Sequence, residues 1–228
     1  MVNTIGRRDL LKVAGAVVAA EALDLQGHAE TKSTHKIVGI SCSPRKGKTT
    51  TEAVKVCLAA AQEHVQGIET ELIELADMSI PAYVAAGVPL KAGEQDDFPA
   101  LQSKLSDDRI IGIVIGSPVY FGNMSALCKA FLDRCVALRA DGFKWRNKIV
   151  GVVAVGSTRN GGQELTIQSI KTALLGQDVI AVGTGQPSVR IGAALWNQDD
   201  SIADDAFGID TAKDLGRHVA EVASKFWT

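Results

Sequence analysis

The sequence predicts a three-layer α/β domain built on a five-stranded parallel sheet. Three observations carry that prediction. Short apolar runs at 36–41, 70–75, 110–115, 149–155 and 179–182 alternate with longer stretches of helical periodicity. The runs at 110–115 and 149–155 lack polar alternation, as expected of strands covered on both faces. The chain has 228 residues, 46% of them hydrophobic, which suffices for one well-buried domain and shows no break that would mark a second.

The elements follow in order. Residues 1–30 are expected to lie outside the fold as an export signal and leader. Gly6-Arg7-Arg8-Asp9-Leu10-Leu11-Lys12, then a brief apolar stretch at 13–20, then small residues is the layout of a twin-arginine signal. Ala20-Glu21-Ala22 and Gly27-His28-Ala29 are possible cleavage sites. The apolar stretch is far below the ~20 residues of a transmembrane helix. A periplasmic protein is expected, with an uncleaved membrane anchor as the alternative.

The domain is expected over 36–228. A first strand at 36–41 leads to a helix at 49–64 whose Ala53, Val54, Val56, Cys57 and Leu58 face inward. A second strand at 70–75 precedes a long irregular loop at 76–97, and a short helix at 98–105 leads into the strand at 110–115. A loop at 116–124 and a helix at 126–138 follow. Then come a strand at 149–155, a helix at 163–174 and a weaker strand at 179–182. A Gly- and Asp-rich loop at 184–208 precedes a last helix at 211–226. Five strands joined by helices on both faces suit the flavodoxin-like order 2-1-3-4-5. Cys128 and Cys135 fall on one helix about 10 Å apart, too far for a bond. No CxxC pair or Cys/His cluster suggests a metal site. A net charge of −2 without basic blocks argues against a nucleic-acid partner.

In that order the first, third and fourth strands are central neighbours, so the loops at their C-terminal ends converge where such sheets bind ligands. The first loop, Ser41 to Thr51, brings hydroxyls and cations to a helix N-terminus, which is an anion site. The second contains Pro118, Val119, Tyr120, Phe121, Gly122 and Asn123. Proline stiffens it, two aromatic faces suit a flat ring, and Gly122 permits close backbone approach. The third offers Ser157, Thr158, Arg159, Asn160, Gly161 and Gly162, polar groups and glycines for the edge of such a ring. Gly47-Lys48-Thr49 is also the tail of a Walker A loop. That motif needs glycine where Cys42 stands, Pro44 removes a cradle donor, and no aspartate ends the runs at 110–115 or 149–155. A nucleoside triphosphatase is therefore not expected.

Ser43-Pro44-Arg45-Lys46, Gly116-Ser117-Pro118-Val119-Tyr120-Phe121-Gly122-Asn123-Met124, Lys129-Ala130-Phe131-Leu132-Asp133-Arg134 and Arg159-Asn160-Gly161-Gly162-Gln163-Glu164 together resemble the NADPH-dependent FMN reductase family. The closer likeness is to its iron–sulfur flavoproteins and flavodoxin-like quinone reductases, over about 36–226. The resemblance implies FMN, with its phosphate on Ser43, Arg45, Lys48, Thr49 and Thr50. The ring would lie against 118–123 and 157–162. It also implies NAD(P)H as co-substrate, a small-molecule electron acceptor, and a homodimer or homotetramer.

Those iron–sulfur relatives carry cluster cysteines in the loop after the second strand. Here 78–97 has none, so a flavin-only protein is expected. Because the flavin carries the chemistry, no catalytic acid or base is expected. The expected activity is ping-pong transfer from a nicotinamide to a quinone, flavin or metal acceptor. The alternative is an exported FMN electron carrier reduced by a protein partner. Arg159 suits either a nicotinamide phosphate or a ring carbonyl. Trp196 suits either a cover over a neighbouring subunit's site or surface packing, and Cys42 either reactivity beside the helix N-terminus or simple packing.

Overall fold

The computed structural model describes residues 35–227, so the export signal read at 1–30 lies outside the described residues. Four long strands form the sheet: β1 (Lys36–Ser41), β2 (Glu69–Glu74), β3 (Ile110–Tyr120) and β5 (Ile149–Gly156). Short strands β4 (Asn123–Met124), β6 (Ile180–Ala181) and β7 (Ala193–Trp196) complete it. The order is β2-β1-β3-β5-β6, with every pairing along that path parallel. This is the flavodoxin-like order, with the β4 hairpin strand added beside β3.

Side chains alternate across the sheet and build two apolar layers. Val38, Ile40, Ile113, Ile115, Val150 and Val152 face one way, with Phe98, Phe131 and Trp145 packed among them. Ile37, Ile111, Val114, Ile149 and Val153 face the other. That second layer is closed by α1 (Thr49–His64) and α6 (Ala206–Trp227). The first is covered by α2 (Phe98–Leu105), α3 (Ala126–Arg134), α4 (Val136–Ala140) and α5 (Gln163–Leu175). Gly116 lets α1 lie tightly on β3, since a Cβ there would sit 2.5 Å from a Val54 methyl.

Four local expectations are corrected. β3 does not stop at Ile115 but runs on through Pro118 to Tyr120, where it turns back into β4. The helix expected at 126–138 breaks at Cys135, which ends α3 and begins α4. The late loop contains β7, which pairs with β5 beyond the point where two-residue β6 has ended. The last helix begins at Ala206, five residues before the expected start. Among the described residues no helix is long and apolar enough to cross a membrane.

Candidate functional site

The three loops meet at the C-terminal edge of the sheet. Cys42 N–H donates to Gly116 O at 2.8 Å, carrying the β1–β3 ladder one step past β1. The next rung of a parallel ladder would be an N–H from residue 118, and proline has none. The Ser125 hydroxyl takes that place, donating to Cys42 O at 2.7 Å. Ser125 also caps α3 by accepting the Cys128 N–H at 3.0 Å, while its own N–H donates to Ser117 Oγ at 3.1 Å. One buried serine thus ties the first loop, the second loop and a helix together.

In the first loop Ser43, Thr49 and Thr50 are buried, whereas Arg45 and Lys48 are exposed. Ser43 Oγ accepts the Arg45 N–H at 3.1 Å. The N-terminus of α1 at Lys48 has no side-chain cap, so no capping side chain satisfies its first-turn N–H groups. Thr51 bonds Ser41 and Glu74; the Thr49 and Thr50 hydroxyls have no side-chain partner among the described residues. Glu74, at the end of β2, accepts the Gly47 N–H at 2.8 Å and the Thr51 hydroxyl at 2.7 Å. Burial opposes its charge, but those two bonds hold its carboxyl below the ordinary value. Arg45 and Lys48 both meet Asp200 from the late loop, Lys48 at 3.3 Å.

The second loop is shorter than its sequence suggested. Pro118 is a buried strand residue opposite Val155, and Val119 pairs with Met124. Phe121 occupies the hairpin apex at φ 50° with its side chain wholly in solvent, beside half-exposed Tyr120. Asn123 is exposed, and its side-chain oxygen accepts the neighbouring Met124 N–H at 2.8 Å.

The third loop is held from within by Gln163. Its Oε1 accepts the Gly161 N–H at 2.8 Å, and its Nε2 donates to Thr158 O at 2.6 Å and Leu195 O at 3.2 Å. The second and third loops touch at glycine. Gly162 has φ 100°, and a Cβ there would lie 2.9 Å from Gly122 Cα. Ser157, Thr158, Arg159 and Asn160 are exposed at the rim. Arg159 bonds the fully buried Asp205 carboxylate and stacks 5.7 Å from Trp196 and 5.9 Å from Phe207. Trp196 donates its indole N–H to Ser157 O at 3.0 Å, so it packs on its own chain's third loop.

Ser125, Glu74, Asp200 and Asp205 were not singled out from sequence, and Gln163 only as part of the motif at 159–164. Ser125 sits at the predicted helix start, where a capping role is legible; Glu74, Asp200 and Asp205 act through long-range contacts that spacing does not reveal, and Gln163 acts within its own loop and on Leu195 O. Cys42 is fully buried. Burial first, then the adjacent Cys128 thiol, pushes its own thiol well up, which favours packing over reactivity. An uncapped helix N-terminus with buried hydroxyls suits an anion, and the glycine-lined junction beside Tyr120 and Phe121 suits a flat ring.

The NADPH-dependent FMN reductase family matches residues 35–194. An iron–sulfur flavoprotein of Methanocaldococcus jannaschii is 41% identical over 191 residues, spanning 82% of this chain and 96% of that protein. An NAD(P)H dehydrogenase (quinone) of Paracoccus denitrificans is 33% identical, spanning 70% of this chain and 84% of its own length. Among solved structures, a flavodoxin, WrbA-like protein from Agrobacterium tumefaciens superposes with a TM-score of 0.58 at 20% identity. That match covers 84% of this chain and 98% of the other, and shows a shared fold.

Proposed function

We propose that this chain, which belongs to the NADPH-dependent FMN reductase family, passes electrons from a nicotinamide to a quinone, free flavin or metal acceptor in a ping-pong cycle. Family membership makes it an oxidoreductase with FMN as cofactor and NAD(P)H as co-substrate. The observation that carries the reading is the convergence of the three loops on one edge of the sheet, fastened by Ser125 and Gln163.

The residues fit FMN. The uncapped N-terminus of α1, the buried hydroxyls of Ser43, Thr49 and Thr50, and the cations Arg45 and Lys48 would hold its phosphate. Val119 to Asn123 and Ser157 to Gly162 would hold its ring, at a junction where any side chain on residue 162 would intrude. When bound, FMN supplies a two-electron carrier that takes a hydride from a reduced nicotinamide and delivers electrons onward. The chain's part is positional. Gln163 fixes the third-loop backbone, Trp196 and Arg159 wall its outer side, and exposed Tyr120 and Phe121 shape the face that donor and acceptor share in turn.

An iron–sulfur cluster does not fit. Cys42, Cys128 and Cys135 are buried in one apolar layer and Cys57 in the other, across the sheet, and 76–97 has no cysteine. The proposal includes export to the periplasm, supported by the motif at 6–12, and a homodimer or homotetramer, supported by the family resemblance. The same export motif favours a second reading, an electron carrier reduced by a protein partner. Initial rates over a grid of NADPH and quinone concentrations test the cycle. Parallel double-reciprocal lines are expected; intersecting lines would rule ping-pong out.

A further inference from the structure

We propose that Asp200 is a built-in competitor for the phosphate loop and sets how tightly this chain holds phosphorylated flavin, an inference that rests on the FMN reading above. Asp200 sits on a tight turn closed by reciprocal bonds, Gln198 N–H to Ser201 O and Ser201 N–H to Gln198 O, each 2.8 Å. Its two central residues are both left-handed, Asp199 at φ 47° and Asp200 at φ 64°. That geometry suits Asn or Gly best, so aspartate is present at some conformational cost.

The turn delivers a single carboxylate onto both exposed cations of the first loop. One oxygen accepts from Arg45 and the other from Lys48 at 3.3 Å. Those bonds, Arg45's first, hold the Asp200 carboxyl below its ordinary range, so it is ionised at neutral pH. A phosphate placed at the N-terminus of α1 calls on the same two cations. It must either displace Asp200 or share its partners with a like charge beside it. Both routes weaken binding. All three side chains are 45 to 48% exposed, so the pair is solvated and open to displacement. Riboflavin carries the same ring without the phosphate and does not meet this competition.

The test titrates full-length apoprotein with FMN and with riboflavin, following quenching of flavin fluorescence, for wild type, Asp200→Asn and Asp199→Asn. Asparagine tolerates the left-handed turn, so the first variant removes charge and leaves the loop shape. The second removes the adjacent charge, which contacts neither Arg45 nor Lys48 among the described residues. The expected result is FMN binding about 3–10-fold tighter in Asp200→Asn, riboflavin binding unchanged, and Asp199→Asn equal to wild type. Unchanged or weaker FMN binding in Asp200→Asn overturns the proposal. So does an equal gain in Asp199→Asn, which would reveal a general field, or an equal gain for riboflavin, which would reveal an opened ring pocket. If none of the three proteins binds FMN, the functional reading itself fails, and this inference with it.

Discussion

Ser125 illustrates how one side chain takes over what a proline omits. Its hydroxyl accepts the Cys128 N–H and donates to the Cys42 carbonyl that Pro118 leaves without a partner. Ser125→Ala removes a helix cap and orphans a buried carbonyl. A loss of about 2 kcal/mol is expected in urea denaturation, with weaker FMN binding. Gly162→Ala places a methyl against Gly122 at a left-handed position. It should cost about 1–2 kcal/mol and weaken FMN binding by at least as much as it weakens the fold. Arg159 has a partner within its own chain. Its guanidinium is engaged by buried Asp205, which also accepts the N–H groups of Trp196 and Gly208. Arg159→Gln should therefore leave the NADPH-to-NADH preference unchanged while lowering stability by about 3 kcal/mol, because a buried carboxylate loses its cation. Steady-state kinetics with both nicotinamides, beside a melt, separates the two effects.

Among the elements, those with strong apolar patterning were legible from sequence and those shaped by neighbours were not. The bounds of β1, α1 and α2 match the pattern because their periodicity continues up to a breaking residue. β3 outran its expected end because Pro118 reads as a loop signal. It is tolerated in a strand because β1 has already ended and Ser125 supplies the missing bond. β7 is four residues, Ala193 to Trp196, without alternation; it becomes a strand because two-residue β6 leaves the rest of β5's edge unpaired. The long loop after β2 is pinned by Arg134 of α3. That side chain bonds Asp96 at 2.8 Å and Pro81 O at 3.2 Å, and lies 4.7 Å from the Phe98 ring. Sequence spacing does not reveal such a buried pair, whose members lie 38 residues apart. Removing Arg134 alone strands a buried charge, so Arg134→Ala should destabilise by about 3–5 kcal/mol, more than Asp96→Asn does.

At the scale of the whole molecule, charge is concentrated at both ends of the sheet with opposite purposes. The C-terminal edge of the strands gathers the candidate site. The N-terminal edge carries a structural network, in which Lys36 reaches Glu71 at 3.0 Å and Asp107 at 3.4 Å, and Arg109 reaches Asp107 at 2.7 Å. Arg109 first, then the other donors against the cost of burial, holds the Asp107 carboxyl down to about 2. The unfolded chain takes up that proton first, near pH 4, so the stabilisation is complete above pH 4 and is lost as pH falls toward 2. Asp107→Asn should flatten this part of the acid-unfolding curve, worth about 1–2 kcal/mol, without altering flavin binding at the far edge.

The three loops of the site could be read from sequence because topology alone decides that the ends of central strands meet. The side chains that fasten the first and third loops from outside, Glu74 and Asp205, and the carboxylate that competes there, Asp200, come from distant segments. Only the folded chain brings them in. The central claim is that this edge binds a flavin and lets a nicotinamide reach it. An absorbance spectrum of the FMN-loaded protein, recorded anaerobically before and after adding NADPH and then NADH, tests it most directly. Oxidised-flavin bands that bleach within seconds and return when a quinone is added are the predicted result; bands that persist with both nicotinamides would contradict it.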